Sequence, residues 1–333
     1  MNRRKFIKAV GGGAVLATSG FVSARPNKTA PPNAVGILYD STLCIGCKAC
    51  VPACKRANGM PTDSQESLPI WDTPQGLSPK TLNVVKLYKQ GTGETKDQVT
   101  NGHAFVKRSC LHCVDANCVS VCPVSAMRKD GETGIVTHHP QACIGCRYCI
   151  YSCPFNIPKF ELDKAFGGEL KKCELCNHRL ADGKLPACVE ACPTGAAIFG
   201  KREELIAEAR RRLDAQRGSD FDYPLLEPAS GHRHVKKLPA YQRAIYGEKE
   251  LGGTQVLYLA GVPFDRLGLP ALPERSYASI WEGLQHTLYK NMALPSLSFG
   301  ALVFLVHRNS KRLHGQGEAM STREGATRRD HHG

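Results

Sequence analysis

The stretch CIGCRYCIYSCP, from Cys143 to Pro154, decides the fold. It places four thiols within eleven residues, in the spacing C-x2-C-x2-C-x3-C followed by proline. Disulfides pair thiols two at a time at particular Cα separations, so this crowded run is a poor disulfide framework. Structural zinc usually takes C-x2-C pairs from separate loops, which explains only part of the run. The spacing is that of bacterial 4Fe-4S ferredoxins, in which the fourth cysteine ligates a neighbouring cluster, and it therefore predicts a partner run.

Three more cysteine groups are present, and the four groups together use all 16 cysteines. CLHCVDANCVSVCP begins at Cys110, CIGCKACVPAC begins at Cys44, and CELCNHRLADGKLPACVEACP begins at Cys173. The first group in the chain ends with Lys55 where the others have proline, and the last group carries an eleven-residue insert before its third cysteine. Neither departure removes a ligand, so four 4Fe-4S clusters are predicted.

Crossing of the fourth ligands assigns every cysteine to a cluster. The two central groups exchange their fourth thiols, and the first and last groups do the same. The predicted ligand sets are Cys44, Cys47, Cys50 and Cys192 for cluster 1; Cys173, Cys176, Cys188 and Cys54 for cluster 2; Cys110, Cys113, Cys118 and Cys153 for cluster 3; and Cys143, Cys146, Cys149 and Cys122 for cluster 4. One two-cluster module is thus predicted to lie nested inside the other.

The segments around the cysteines predict an α+β fold made of two nested bacterial-type two-cluster ferredoxin modules. GILY, AFVKRS, GIVTHH and AAIFG are typical of short strands, and KDGETG, from Lys129 to Gly134, predicts a hairpin turn. An amphipathic helix is predicted over 201–217. The predicted domains are the four-cluster domain over 36–200, with an outer module of 36–60 and 170–200 and an inner module of 103–160, followed by a helix and an extended connection over 201–286.

Composition and charge agree with a globular protein that metal helps to fold. Aromatic residues make up 7% of the chain, and 32 glycines and 21 prolines suggest loops rather than a large apolar core, so cluster ligation would add folding energy. The net charge is +14, but four basic residues lie in the first eight positions and six follow residue 307. No basic stretch is interleaved with stacking aromatics, so no nucleic-acid partner is expected. No phosphate-binding loop or nucleophile motif occurs, so no catalytic residue is predicted.

The N-terminal stretch MNRRKFIKAVGGGAVLATSGFVSA resembles a twin-arginine export signal. Arg3 and Arg4 precede a short, glycine-rich apolar segment and a small-residue site that ends at Ala24. That route carries folded proteins, so the clusters can be assembled in the cytoplasm before export. A signal peptide over 1–24 and a periplasmic location are therefore predicted. The alternative, an N-terminal membrane anchor, is disfavoured because the apolar segment is short.

Near the other end, Asn291 to Val306 form a run of sixteen residues without a charge, and basic residues begin at Arg308. As a helix the run would reach about 24 Å, short of a ~30 Å hydrocarbon core, so flanking residues such as Lys290 must extend it. We expect a single transmembrane anchor over 287–307 that contacts membrane lipid. The basic residues after it place the tail, 308–333, in the cytoplasm. A buried helix of a soluble domain is the alternative.

On these motifs the chain resembles the four-cluster iron–sulfur subunits of membrane-bound respiratory oxidoreductases, a family that includes subunits of formate dehydrogenase, polysulfide reductase and hydrogenase. The stretches YGEKELGGTQVLYLAGVPFDRLGLP and QHTLYKNMALP are most similar to the hydrogenase branch. The resemblance implies that electrons pass from a nickel–iron hydrogenase, made of small and large subunits, through the four clusters to an integral membrane quinone-reactive subunit. It also implies a site on the periplasmic face of a bacterial inner membrane.

Three alternatives stay open at this point. The same electron path could serve a molybdenum enzyme such as formate dehydrogenase, the cysteines could form a zinc-stapled binding module, or the chain could be a free soluble ferredoxin. The last conflicts with the apolar run over 291–306, and metal analysis separates zinc from iron. Among the histidines, only His112, beside Cys113, is singled out.

Replacement of Arg3 and Arg4 by lysine should leave the protein in the cytoplasm with its clusters intact, because the arginine pair is the part of the signal that the folded-protein route reads. Fractionation followed by immunoblotting measures this, and a double replacement of Lys5 and Lys8 by arginine is the matched control. Unchanged export of the Arg3 and Arg4 variant would exclude the twin-arginine assignment.

Overall fold

The computed structural model describes residues 24–61, 73–161 and 169–327. The predicted signal peptide, apart from Ala24, lies outside the described residues, as does the end of the basic tail. In the last helix the side chains of 288, 291, 293–295 and 312–327 are not described either. The chain divides into two units, Pro26–Ile280 and a second unit formed by the residues before and after it, and each is described by itself.

The main unit combines short strands with short helices, in agreement with the predicted α+β class. Its strands in chain order are β1 (Val35–Asp40), β2 (Val84–Lys89), β3 (Thr95–Lys96), β4 (Gly102–Arg108), β5 (Met127–Lys129), β6 (Val136–His138), β7 (Lys159–Phe160), β8 (Leu170–Lys171), β9 (Ala197–Lys201), β10 (Asp220–Pro224), β11 (Arg233–Lys237) and β12 (Val256–Leu259). Its helices are α1 (Cys50–Ala57), α2 (Asn117–Ser120), α3 (Tyr148–Tyr151), α4 (Asn177–Ala181), α5 (Ala187–Glu190) and α6 (Arg202–Asp214). Two 3₁₀ turns lie at Pro140–Ala142 and Glu250–Gly252.

A three-stranded sheet of order β12-β1-β9 joins the beginning of the unit to its end. Ile37 in β1 is paired in parallel with Val256 and antiparallel with Phe199. All four residues of β12 are buried, as expected for an apolar strand covered on both faces. Gly36 is required here, because a Cβ at this position would lie 1.8 Å from the carbonyl oxygen of Gln255.

The two faces of this sheet bury different partners. Because side chains alternate along a strand, Leu38 and Leu257 face helix α6, where they pack on Leu205 and Ala209. The alternate residues, such as Tyr39, pack in the larger core that also contains cysteines. The helix predicted over 201–217 is confirmed at Arg202–Asp214. It covers the face of the sheet that is turned away from the cysteines.

A buried ion network fixes α6 to β1. Arg212 is fully buried, and its Nη1 lies 2.9 Å from Oδ2 of the buried Asp40, while its Nε lies 2.8 Å from Oε1 of Glu208. Tyr241 donates a hydrogen bond to the same Asp40 oxygen at 2.6 Å. Opposite charges that leave water together in this way specify how the helix docks on the strand.

The smaller sheets surround the cysteine loops. β4 lies between β2 and β3, and β5 pairs antiparallel with β6, which confirms the predicted hairpin. The side chain of Gln255 joins this hairpin to the central sheet: its Nε2 donates to the carbonyl oxygen of Thr133 at 2.9 Å, and its Oε1 accepts from Lys129 at 2.9 Å. The GGTQVLYL stretch thereby links the β5–β6 hairpin to the central sheet.

The second unit consists mainly of residues 281–327 of a long helix, α7 (Tyr277–Thr327), and these residues contain the segment predicted as a transmembrane anchor over 287–307. Side chains from Val303 to Val306 are exposed on it. The uncharged run within the helix is only sixteen residues long. In the part of the chain that the structure describes, no helix meets the combined length and hydrophobicity needed to cross a membrane.

Arg212→Met should destabilise the main unit by about 3 to 5 kcal/mol, because it leaves the buried Asp40 carboxylate without its counter-charge. The apparent unfolding temperature of the cluster-loaded protein should fall by roughly 6 °C or more. Arg210→Met is the matched control on the same helix, since Arg210 is exposed and pairs with Glu248 at the surface. Equal unfolding temperatures for the two variants would contradict a stabilising role for the network.

Candidate iron–sulfur centres

The four cysteine groups share one backbone geometry. The residue directly before the second cysteine has a positive φ in every group, 70° at Gly46, 49° at His112, 71° at Gly145 and 52° at Leu175. This conformation is unfavourable for residues that carry a Cβ, so its occurrence in all four groups indicates a shared requirement. It bends the chain sharply between the first two cysteines and lets both thiols face one centre.

Short helices position the remaining cysteines. The third cysteine of each group lies in a helix, and the fourth follows four residues later. The third cysteines are Cys50 in α1, Cys118 in α2, Cys149 in α3 and Cys188 in α5; the fourth are Cys54, Cys122, Cys153 and Cys192. The eleven-residue insert of the last group forms α4, so the insertion lengthens the loop without displacing the helix that carries its third cysteine.

Three cavities are each lined by one complete predicted set, whose four cysteines come from two groups. The first cavity contains the set predicted for cluster 1, the second contains the set for cluster 2, and the third contains the set for cluster 4. Cys188 lines the first cavity as well as the second, so these two cavities are neighbours. In each of the three, the fourth cysteine is contributed by a distant group.

The thiols predicted for cluster 3 also lie together. Burial raises the pKa of Cys113 well above its usual value, and nearby Cys153, Cys118 and Cys110 raise it further. The structure thus brings together all four of the crossed sets that the spacing predicts. The bonds from individual sulfurs to iron stay a prediction, for which an experiment is given below.

Electrostatic influence between thiols of different sets links the four sets in one linear order. Burial raises the pKa of Cys50 in set 1 to about 12, and Cys188 of set 2 contributes to this rise. Burial likewise raises the pKa of Cys110 in set 3 to about 11, with a contribution from Cys173 of set 2. Sets 3 and 4 meet where Cys149 adds to the raised pKa of Cys118. The order is therefore 1, 2, 3, 4.

One cysteine at each end of this series is exposed, Cys47 of set 1 and Cys146 of set 4. The cysteines of sets 2 and 3 are buried or half-buried. Apolar side chains are exposed beside both ends: Ile45 between Cys44 and Cys47, and Ile144 and Tyr148 around Cys146.

The donors present fit 4Fe-4S clusters. Each set offers four sulfurs, and these thiols are crowded enough to raise one another's pKa, as Cys143, Cys122 and Cys146 do for Cys149 after burial has raised it. Coordination to iron removes this cost, because the metal stabilises the thiolate. Backbone N–H groups also point at sulfur, from Ala126 to Sγ of Cys122 at 3.2 Å. Within the described ranges, no three His, Cys, Asp or Glu side chains converge closely enough to hold a single metal ion.

Lysines lie around the sulfurs. Lys107 and Lys172 are buried among the cysteines, and Lys129 is half-buried. Lys129 donates to the carbonyl oxygens of Cys113 at 3.1 Å and Gly134 at 2.6 Å in addition to Gln255. Lys172 donates to the carbonyl oxygens of Val136 and, at 3.1 Å, Cys173. The sequence signal for such residues is a lysine at an inward position of a strand, and sequence reasoning missed it.

His112, singled out from the sequence, is fully buried beside these lysines. Its Nδ1 accepts a hydrogen bond from the backbone N–H of Val136 at 3.0 Å, which places the ring proton on Nε2. Burial lowers its pKa well below the usual value, and nearby Lys172 and Lys129 lower it further. The imidazole is therefore neutral and helps to hold the hairpin β5–β6 against the third cysteine group.

Four cysteine-lined sites in an α+β framework of short hairpins and helices define an iron–sulfur protein of the 4Fe-4S ferredoxin class. The family described as 4Fe-4S dicluster domain matches residues 102–202. Because 4Fe-4S clusters accept and release electrons, the chain is an electron-transfer protein.

Curated relatives refine this class. The chain is 49% identical over 324 residues to the hydrogenase-2 operon protein HybA of Escherichia coli O157:H7, covering 95% of this chain and 98% of that protein. It is 33% identical to the iron-sulfur subunit of nitrate-inducible formate dehydrogenase of Escherichia coli strain K12, over 75% of this chain and 77% of that protein. Protein NrfC of the same strain is 38% identical over 64% of this chain and 85% of its own length. The chain belongs to the HybA family of iron–sulfur proteins.

Pairs of cysteine variants separate crossed from uncrossed ligation. If Cys110 and Cys153 ligate one cluster, the double variant Cys110→Ala, Cys153→Ala should lose that cluster alone and retain about twelve of about sixteen iron atoms per chain. The matched control, Cys143→Ala with Cys153→Ala, should lose two clusters and retain about eight. Iron and zinc are measured on anaerobically purified protein. The reverse ranking would refute the crossing, and stoichiometric zinc in the unaltered chain would refute iron ligation.

Proposed function

We propose that this chain relays electrons through four 4Fe-4S clusters between a nickel–iron hydrogenase and an integral membrane quinone-reactive subunit. The observation that carries the proposal is the linear order of the four cysteine sets, with one exposed cysteine at each end. A single file of clusters is suited to carry electrons across the protein. Each end then needs a partner that gives or takes an electron.

The ends have the chemistry of partner surfaces. Tyr151 is 84% exposed and Ile144 is 66% exposed, and both belong to the cysteine group that contains Cys146. At the other end Ile45 is 54% exposed between Cys44 and Cys47. Apolar side chains exposed in a group are typical of protein interfaces. Burial under a partner would also shield the terminal clusters from water and oxidants.

A hydrogenase is the favoured donor because the relative that this chain matches over 98% of the relative's length is named a hydrogenase-2 operon protein. The second candidate is a formate dehydrogenase, which is supported by the 33% identity to a formate dehydrogenase iron-sulfur subunit. The two candidates share the electron path and differ only in the catalytic subunits that contact it. The hydrogenase small and large subunits are the proposed partners on the first reading.

The proposed location is the periplasmic face of a bacterial inner membrane, with the C-terminus in the cytoplasm. The twin-arginine stretch at Arg3 and Arg4 supports export of the folded chain. The exposed apolar side chains from Val303 to Val306, followed by basic residues, support attachment of the C-terminal helix to lipid and to a membrane subunit. We also propose that the cluster domain over 36–200 consists of two nested two-cluster modules, one outer and one inner.

The donor is tested by mixing the oxidised, cluster-loaded chain anaerobically with its candidate partners. With nickel–iron hydrogenase subunits from the same organism, hydrogen should bleach the visible absorption of the clusters within the time of enzyme turnover. With the formate dehydrogenase of that organism, addition of formate should leave the clusters of the chain largely oxidised. Reduction by formate and not by hydrogen would replace the hydrogenase assignment with the second candidate, and reduction by neither would contradict both.

A further inference from the structure

Lys107 stands apart from the other buried lysines because most of its hydrogen-bonding capacity is unused. Its side chain is 3% exposed, and an ammonium group has three N–H donors. Among the described residues its ammonium has one hydrogen-bond partner, Oγ of Ser109 at 3.1 Å. By contrast, Lys129 has an oxygen partner for each of its three donors. A buried cation with two free donors is costly unless an anion lies beside it.

The position of Lys107 identifies that anion. Its side chain lines the cavity of cluster 1 and also the cavity of cluster 2. Cys50 of set 1 and Cys173 and Cys188 of set 2 line these cavities with it. The carbonyl oxygen of Lys107 accepts a hydrogen bond from Tyr258 at 3.1 Å, so the backbone is held on the opposite side.

Strand β4 holds this side chain rigidly in place. Lys107 is paired with Val85, next to the last pair at one end of the β2–β4 ladder. Residues two apart share one face of a strand, and Phe105 on that face packs on the loop at Gly46, where a Cβ would lie 2.3 Å from the ring. The face that carries Phe105 and Lys107 therefore forms one wall of the outer module.

We propose that Lys107 is a positioning residue that places one positive charge and its free N–H donors between clusters 1 and 2, and thereby raises the reduction potentials of these two clusters together. Reduction adds negative charge to a cluster, so a fixed cation and N–H···S hydrogen bonds favour the reduced form. The inference rests on the proposed function, because it takes the outer cysteine sets to hold the first two clusters of the path.

Potentiometric titration followed by electron paramagnetic resonance tests the inference on the full cluster-loaded chain. In Lys107→Met, two of the four midpoint potentials should fall, and at a fixed potential the ratio of reduced to oxidised cluster should decrease at least tenfold for both. A tenfold change corresponds to about 59 mV for a one-electron couple. Lys107→Arg keeps the charge and should restore both midpoints. Lys89→Met, at the exposed end of the β2–β4 ladder, is the control and should change none.

Unchanged midpoints in Lys107→Met, or a shift of one cluster alone, would overturn the shared role. A second measurement detects the lysine nitrogen directly. In protein labelled with ¹⁵N at lysine Nζ and poised so that the clusters shifted in Lys107→Met are reduced, pulsed resonance should show a hyperfine coupling that is lost in Lys107→Arg. Absence of the coupling in the unaltered chain would also overturn the inference.

These outcomes are distinct from failure of the proposed function. Four clusters that are reduced under hydrogen, with midpoints insensitive to Lys107, would remove the role of the lysine and leave the electron path standing. An unaltered chain that holds fewer than four clusters, or that neither partner enzyme reduces, would remove the proposed function irrespective of Lys107.

Discussion

The crossing of cysteines between distant parts of the chain is the constraint on which the rest of the structure depends. Cys54 and Cys192 lie in cavities whose other cysteines belong mainly to the opposite end of the cluster domain. A cluster held by such a set closes a loop of more than a hundred residues. In principle, cross-links that close long loops stabilise a fold the most. Pairing of β1 with β9 and β12 then joins the same chain ends through backbone hydrogen bonds.

Burial of these sulfurs creates an electrostatic problem that the surrounding residues solve. Four thiolates and a cluster together carry net negative charge, and low polarity makes isolated charge costly. Lys129 and Lys172 supply positive charge near the third set while carbonyl oxygens satisfy their donors. Lys129 and Lys172 therefore also hold loops together through their hydrogen bonds. Lys107, by contrast, lines two cavities and has donors that are not used in this way.

Much of this arrangement follows from local sequence. The cysteine spacing gives the four sets because ligation and helix geometry act over a few residues, and the Lys129–Gly134 turn is recognisable for the same reason. The parallel pairing of Ile37 with Val256 was not predictable, because short apolar runs do not specify a partner two hundred residues away. Nor was the Asp40–Arg212 pair, since charged residues on a helix are usually solvated. The burial of Lys107 was not predictable either, because the sequence of β4 does not show which side chains surround this position in space.

The central claim, that four crossed cysteine sets form one path in the order 1, 2, 3, 4, is tested most directly by a crystal structure with diffraction data collected at the iron absorption edge. Four iron-containing density peaks should lie in a single file, with Sγ of Cys192 bonded to the cluster of Cys44 and Sγ of Cys153 bonded to the cluster of Cys110. A cluster ligated by the four cysteines of one sequence group, or a branched arrangement of the four peaks, would contradict the account.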